Sequence, residues 1–339
     1  MGLAADGVMA KGLRLQIKPY VFALTRPLQT ATGVIQQRHG WLLRLLHNSG
    51  RCGWGEVSPL SSQRHACCSR WLTQQVDSEG KQWDVAALER LLAHSPAEVA
   101  FALGAALAEL QGLKGDSALD SWLTAPESAQ LLPAGDAMPA ALDQLLDQMP
   151  ADGVITVKWK VAATDGAHEL RLLEWLRQRL PAHAHLRLDA NGGWDRETAQ
   201  HWAEVLRGES RLQWLEQPLA VDDLEGHQQL LDQIPVALDE GLRDHPEWQQ
   251  IWAGWQVRRP LLEGDPRALL RQLQQGAPRL MVSTAFETGI GARWLDHCAA
   301  LQWQGPTPVA PGLAPGWCPP GPLFSRDPHQ VWAGAEVMA

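Results

Sequence analysis

The fold is decided by Val157-Lys158-Trp159-Lys160-Val161, a short apolar segment that carries two charged side chains. In a strand, successive side chains point to opposite faces, so the two lysines share one face and Val157, Trp159 and Val161 share the other. On its own, such a strand is typical of the solvated edge of a sheet. Its meaning changes because four later segments also end in charged side chains: 186–191, 214–218, 236–240 and 257–260.

The charged residues of these five segments recur at a regular spacing. Lys160, Asp189, Glu216, Asp239 and Arg259 follow one another at intervals of roughly 20 to 30 residues, the length of one strand, loop and helix before the next parallel strand. A (β/α) barrel collects the C-terminal ends of its strands on one face. The spacing therefore predicts one pocket in which three carboxylates face a group of cations.

Strand candidates alternate with amphipathic stretches in the second part of the chain, which predicts an α/β fold with a (β/α)7β TIM-like barrel. The eight candidates are 130–133, 154–161, 186–190, 213–216, 236–239, 255–258, 280–283 and 307–310. Residues 13–58 are instead typical of strands and turns, and the Ala/Leu-rich stretch 96–113 of a buried helix. We predict an α+β capping domain at 11–113, the barrel at 114–316, and a C-terminal segment at 317–339 that packs back on the capping domain.

The composition of the 339 residues excludes several classes of protein. A formal charge of −9 argues against nucleic acid and anionic membranes as partners, because both require basic patches. No apolar run is long enough to span a bilayer, and the first ten residues lack the features of a secretory signal, so we expect a frayed terminus and a cytoplasmic location. The five cysteines show no paired CxxC spacing, which indicates neither a zinc site nor a disulfide framework. The oligomeric state is left open.

Each acidic residue of the series has a simpler interpretation when it is taken alone. Asp189 suits an Asx turn, Glu216 an ordinary loop and Asp239 a helix N-cap. At the ends of successive strands, however, they form a set of three hard carboxylate ligands, which suits Mg²⁺, with Mn²⁺ as a substitute, better than zinc. A divalent ion there would bind a substrate carboxylate and stabilise the enediolate that forms when the adjacent α-proton leaves. Lys160 is the predicted base, because neighbouring cations, Lys158 among them, lower the pKa of a lysine.

Together these residues resemble the enolase superfamily, in its muconate-lactonising-enzyme-like branch. The resemblance covers nearly the whole chain and includes the lysine pair, the three carboxylates, the Gly-Trp-Gly-Glu-Val-Ser-Pro stretch at 53–59 and the Ser-Thr-Ala-Phe-Glu-Thr-Gly stretch at 283–289. Within this branch, residues 25–33 and the Ser-Thr and Glu of the seventh strand are most similar to the o-succinylbenzoate synthase subfamily. The resemblance implies that a loop at residues 30–33 of the capping domain closes over the substrate.

The subfamily resemblance also implies a reaction, in the biosynthesis of menaquinone or phylloquinone. It is the dehydration of 2-succinyl-6-hydroxy-2,4-cyclohexadiene-1-carboxylate to o-succinylbenzoate, with Lys160 as the single acid/base and Lys158 in contact with the substrate carboxylate. The backbone N–H groups of Gly289-Ile290-Gly291 and of Gly312 are further candidates to meet that carboxylate. The residues expected to contact the substrate are Thr30, Asn191, Ser283, Thr284 and Gly312.

Arg259 departs from the family pattern, which usually has a second lysine before the proline that ends the sixth strand. Arginine stays protonated and cannot act as a base, whereas racemases and epimerases need bases on both faces of the substrate α-carbon. A one-base elimination needs Arg259 only as a cation, so the substitution favours a dehydratase. The alternatives are a muconate-type cycloisomerase, an epimerase or racemase of dipeptides or N-succinylamino acids, and a barrel that binds a ligand without catalysis.

Overall fold

The computed structural model describes residues 12–30, 33–76, 81–112, 122–150 and 153–335. The predicted frayed terminus lies outside these ranges, as do residues 31 and 32 of the predicted closing loop and the side chain of Thr30. The described residues form a four-stranded antiparallel sheet and a seven-stranded parallel sheet. No helix in this part of the chain combines the length and the apolar character that crossing a membrane requires.

The N-terminal layer is the antiparallel sheet with three helices. Its strands, in the spatial order β3-β2-β1-β4, are β1 (Leu13–Thr30), β2 (Gly33–His47), β3 (Cys52–Val57) and β4 (Gln82–Trp83). The helices are α1 (Ser62–Val76), α2 (Val85–Ala93) and α3 (Ala97–Gln111). The Ala-rich α3 lies directly on β3, where a Cβ at Gly55 would come within 2.0 Å of the Ala102 carbonyl oxygen. Because only glycine permits this approach, the sheet and the predicted helix pack in one defined arrangement.

The parallel sheet follows the predicted series of strands and confirms the barrel fold. Its neighbours are in sequence order, and each strand is joined to the next by one or two helices. The strands are β5 (Gln130–Leu132), β6 (Thr156–Lys160), β7 (His185–Asp189), β8 (Leu212–Glu216), β9 (Val236–Leu238), β10 (Trp255–Arg258) and β11 (Leu280–Val282). The helices are α4 (Met138–Asp147), α5 (Gly166–Arg179), α6 (Arg196–Leu206), α7 (Leu224–Leu231), α8 (Glu240–Asp244), α9 (Trp248–Ile251), α10 (Pro266–Gln274) and α11 (Gly289–Trp303).

The predicted eighth strand at 307–310 is wrong in detail. The structure has a single β-bridge there, between Ser283 and Gly312. The Gly312 N–H donates to the Val282 carbonyl at 2.8 Å, and the Ala129 N–H, just before β5, donates to the Pro311 carbonyl at 2.9 Å. The segment therefore joins the last strand to the first without forming a ladder, since the prolines at 306, 308 and 311 have no N–H to donate.

The chain after the barrel packs on the antiparallel sheet. Helix α12 (Pro328–Gly334) brings Trp332 against Trp54 of β3, with ring centroids 5.8 Å apart. Closer to the barrel, the Thr25 N–H of β1 donates to the Trp317 carbonyl at 3.0 Å. These contacts connect the C-terminal segment to the antiparallel sheet of the capping domain. The domain boundaries at 113/114 and 316/317 stay a prediction.

Candidate active site

A cavity of about 530 Å³ lies at the C-terminal ends of the barrel strands, beneath the capping sheet. The strand faces are as the period-2 rule predicts, because Val157, Trp159 and Val161 pack in the apolar core while the two lysines of β6 line the cavity. Its polar lining on the barrel side includes Lys158, Lys160, Asp189, Asn191, Arg259, Ser283 and Thr284, together with Arg187, Glu240, Arg243 and Asp244. Apolar side chains of the capping domain cover it: Leu28, Ile35 and Leu60.

Lys158 lies between two carboxylates. Its Nζ is 2.8 Å from Asp189 Oδ2 and 2.6 Å from Glu216 Oε1. Burial would lower the pKa of this lysine, but the charges of Asp189 and Glu216 outweigh burial and raise its pKa above the ordinary value. An ammonium held in this way keeps its proton, so Lys158 is unsuited to the role of a base.

Lys160 occupies a different environment, two residues further along the same strand. Its Nζ donates to Asn191 Oδ1 at 3.1 Å, and the side chain is partly exposed to the cavity. Asn191 lies two residues after the end of β7 and has a left-handed backbone with φ of 45°. The structure therefore places Lys160 beside Asn191 in the cavity.

Arg259 is tied to Asp239 by both arms of its guanidinium. Nε donates to Oδ1 at 2.8 Å and Nη2 to Oδ2 at 2.5 Å, while Nη1 donates to the Thr284 carbonyl at 2.5 Å. Burial opposes the charge of both groups, yet their pairing raises the pKa of Arg259 and lowers that of Asp239. Both shifts favour the charged forms of the pair, and Arg259 lines the same cavity as the lysines of β6.

The three predicted metal ligands do not surround one point in this arrangement of side chains. Among the described residues, no three acidic, histidine or cysteine side chains lie close enough to hold one ion. Asp189 and Glu216 hold Lys158, and Asp239 turns to Arg259. Asp239 occupies the N-cap position of α8, but its side chain makes no capping hydrogen bond, so capping does not account for this carboxylate.

The charges of the site nevertheless fit a divalent cation. Burial, together with Asp239 and Asp189, raises the pKa of Glu240 to about 8. One Glu240 oxygen, Oε2, is buried and has no hydrogen-bond partner in the described part of the protein. Burial also raises the pKa of Glu216. A bound divalent cation would favour the charged form of both acids and so oppose the burial and acid–acid repulsion that raise their pKa. Glu240 was not predicted as a site residue, although its position directly after Asp239 indicated that it would lie near the cavity.

Two backbone groups predicted to meet a substrate carboxylate have other partners. The Gly312 N–H takes part in barrel closure, and the Gly291 N–H donates to Glu56 of the capping domain at 2.9 Å. The anion at the start of α11 is therefore a side chain of the protein itself. Ser283, Thr284 and Gly312 still line the cavity, whereas the position of the Thr30 side chain is outside the described residues.

The chain is similar to one family model and to several curated proteins. Residues 140–255 match the family model described as "Enolase C-terminal domain-like". The chain is 32% identical to the o-succinylbenzoate synthase of Thermosynechococcus vestitus, over 86% of this chain and 90% of that protein. It is 31% identical to the o-succinylbenzoate synthase of Edwardsiella ictaluri, over 83% of this chain and 82% of that protein.

Solved structures agree with these relatives. An o-succinylbenzoate synthase from Thermosynechococcus elongatus, solved with Mg in its active site, is 27% identical with a TM-score of 0.75, over 94% of this chain and 99% of that one. The L-Ala-D/L-Glu epimerase of Bacillus subtilis is 22% identical with a TM-score of 0.65, over 88% and 89% of the two chains, and shares the fold.

Proposed function

The chain belongs to the o-succinylbenzoate synthase family of the enolase superfamily, and from this premise we propose its reaction and the residues that perform it. The protein is a carbon–oxygen lyase that dehydrates 2-succinyl-6-hydroxy-2,4-cyclohexadiene-1-carboxylate to o-succinylbenzoate, a step in quinone biosynthesis. The observation that supports this most is the contrast between two lysines on one strand. Lys158 is held charged between carboxylates, while Lys160 reaches the cavity beside Asn191.

Mg²⁺ is the proposed cofactor, with Mn²⁺ as a substitute that accepts the same oxygen ligands. The ligands would be three buried carboxylates at neighbouring strands: Asp189 at the end of β7, Glu216 at the end of β8 and Asp239 directly after β9. When bound, the ion supplies positive charge to the substrate carboxylate and to the negative charge that develops as the α-proton leaves. Glu240 is adjacent to Asp239, so the charge of a bound ion would also act on the Glu240 carboxyl group.

Lys160 performs both proton transfers in this proposal. Its neutral amine removes the proton α to the ring carboxylate, and the resulting ammonium gives that proton to the departing hydroxyl on the same face. The C–O bond breaks, water leaves, the ring becomes aromatic, and Lys160 returns to its starting state. Lys158, which keeps its proton between two carboxylates, positions the substrate carboxylate and adds positive charge.

Arg259 explains why a dehydration suits this cavity better than an epimerisation. It lines the same cavity as the lysines and is a permanent cation, so it can neither take up nor release a proton. A syn elimination needs a single acid/base and a cation against the developing charge, and the cavity supplies both.

The direct test is an assay of the purified protein with the cyclohexadiene substrate, with Mg²⁺ or with a chelator. We expect o-succinylbenzoate to form with Mg²⁺, to stop in chelator and to resume when Mg²⁺ is added back. Absence of product in Mg²⁺, or an unchanged rate in chelator, would overturn the proposal. The proposed partner is thus a small carboxylate. The absence of nucleic-acid and membrane partners is proposed from the net charge of −9, and a cytoplasmic location from the five cysteines, whose spacing indicates no disulfide framework.

A further inference from the structure

Glu56 is a fully buried carboxylate of the capping domain that binds the barrel. It lies on β3, and its oxygens accept hydrogen bonds from the Thr288 N–H at 2.9 Å, the Thr288 hydroxyl at 2.6 Å and the Gly291 N–H at 2.9 Å. Tyr20 of β1 adds a fourth donor, its hydroxyl at 2.7 Å. The carboxylate therefore sits at the N-terminus of α11, where backbone N–H groups and the helix dipole favour an anion.

Arg38 is a second buried residue of the capping domain that binds the segment between β11 and α11. Its Nε donates to the Phe286 carbonyl at 3.3 Å. Nη1 and Nη2 donate to the Pro59 and Ser58 carbonyls at 2.7 and 3.1 Å, which fixes the guanidinium to its own domain. Arg38 thus holds the middle of the loop at residues 283–288, and Glu56 holds its end.

This loop, which connects β11 to α11, is part of the candidate active site. Ser283, Thr284 and Phe286 line the cavity, and the Thr284 carbonyl accepts from Arg259 Nη1. Phe286 has a left-handed backbone, with φ of 59°, which a side chain other than glycine adopts only when its surroundings hold it there. The carbonyl that Arg38 binds belongs to this strained residue, so the capping domain reaches Arg259 through a short and continuous series of contacts.

We propose that Glu56 and Arg38 are positioning residues, which hold the 283–288 loop in the conformation that places Arg259 for catalysis. The part of this inference that concerns catalysis rests on the proposed function. Docking of the capping domain thereby sets the geometry of the cation, in addition to covering the cavity. A merely structural role would instead make Glu56 one of several contacts that keep the two domains together.

The chain offers a matched control for that distinction. Glu109 of α3 is also a buried carboxylate of the capping domain and pairs with Arg293 of the same α11, at 2.9 Å. Arg293 lies beyond the loop, and neither it nor Glu109 lines the cavity. Glu56→Gln and Glu109→Gln therefore each weaken a contact between the capping domain and α11, but only the first disturbs the loop.

The first measurement is hydrogen exchange of the loop in the full-length protein, which requires no activity. The Ala285 and Phe286 N–H groups donate to Glu287 Oε2 and Thr284 Oγ1, so neither bonds to Glu56 or Arg38 directly. We expect Glu56→Gln to accelerate their exchange about tenfold by freeing the loop, and Glu109→Gln to leave it unchanged. Arg38→Lys keeps the positive charge but loses the several N–H donors of the guanidinium, so it should accelerate exchange to the same extent. It provides a second variant if Glu56→Gln folds poorly. Unchanged exchange in folded Glu56→Gln or Arg38→Lys would overturn the positioning role.

The second measurement is a double-mutant cycle on kcat for the dehydration. Glu56→Gln should lower kcat about 10- to 100-fold in the native background, because misplacing a catalytic group by a fraction of an ångström has effects of that size. In an Arg259→Lys background, the same change should lower kcat by about twofold or less, since the group it positions is already altered. Equal effects in both backgrounds would refute the link to Arg259. If the native protein fails to dehydrate the substrate, the proposed function is lost, while the exchange result still decides whether the capping domain holds the loop.

Discussion

Arg259 is the residue whose replacement should have the most clearly defined effect on the reaction. Methionine at this position removes a cation that binds Asp239 at 2.8 and 2.5 Å and the Thr284 carbonyl at 2.5 Å. Loss of preorganised charge of this kind raises a barrier by roughly 2–4 kcal/mol, so kcat should fall roughly 30- to 900-fold. Because Asp239 stays buried without its partner, the free energy of unfolding should fall by roughly 3–5 kcal/mol.

Arg259→Lys separates the charge from the geometry. The ammonium keeps the cation but loses one charge-assisted hydrogen bond, so we expect a drop in kcat of about tenfold, smaller than for methionine. Both variants are assayed by the rate of o-succinylbenzoate formation and by denaturant unfolding. The matched control is Arg293→Met, because Arg293 is buried and pairs with Glu109 at 2.9 Å but does not line the cavity. It should lose stability and keep kcat.

The outcome that would refute this reasoning is specific. If Arg259→Met kept kcat within about threefold of the native value, the cation would have no part in the barrier. If Arg259→Lys were as slow as Arg259→Met, kcat would depend on the hydrogen-bonding geometry of the guanidinium and not on its charge, and the electrostatic argument would fail.

Three further expectations concern the metal, the stereochemistry and pH. Calorimetric titration with Mg²⁺ should show binding to the native protein that is lost, together with activity, in each of Asp189→Ala, Glu216→Ala and Asp239→Ala; unchanged binding in any of the three would remove that residue from the ligand set. Proton NMR in D₂O should show exchange of the α-proton in only one enantiomer of an N-succinylamino acid, and exchange in both would reveal a second base. Burial, with a contribution from Glu56, raises the pKa of Glu287 to about 7, so this acid keeps a proton in the folded state that it loses when unfolded. The free energy of unfolding should therefore fall as pH rises from about 4.5 to about 7. Urea unfolding at pH 5 and at pH 7.5 measures this fall, and in Glu287→Gln the fall should be smaller by up to about 3 kcal/mol.

The barrel and its main side chains were predictable because they depend on local periodicity and spacing. Two-residue alternation placed Lys158 and Lys160 on the cavity side, and the repeat length brought Asp189 and Glu216 to neighbouring strand ends. In the structure, Lys160 pairs with Asp189 in register across β6 and β7. These features follow from the geometry of strands alone.

Contacts between distant parts of the chain were not predictable in this way. The eighth segment closes the barrel through the Gly312 and Ala129 N–H groups. Its prolines argued locally against a full strand, but the partners of these two N–H groups could not be read from the segment itself. The glycines at the start of α11 indicated an anion site, but Glu56, more than two hundred residues earlier, provides the anion. Such pairings are set by tertiary packing, which a local pattern does not contain.

The central claim is that Lys160, and not Lys158, transfers the proton, and a single kinetic comparison tests it. Lys160→Ala should lower kcat for dehydration by about 10²- to 10⁴-fold, the contribution of a general acid/base, while the affinity for o-succinylbenzoate measured by calorimetry stays within about threefold of native. Lys81→Ala, a lysine that lies over the ring of Trp83 in the capping domain, is the control and should keep native kinetics. A Lys160→Ala enzyme that keeps kcat within about tenfold of native, beside an inactive Lys158→Ala enzyme, would contradict the account and assign the base to the other lysine.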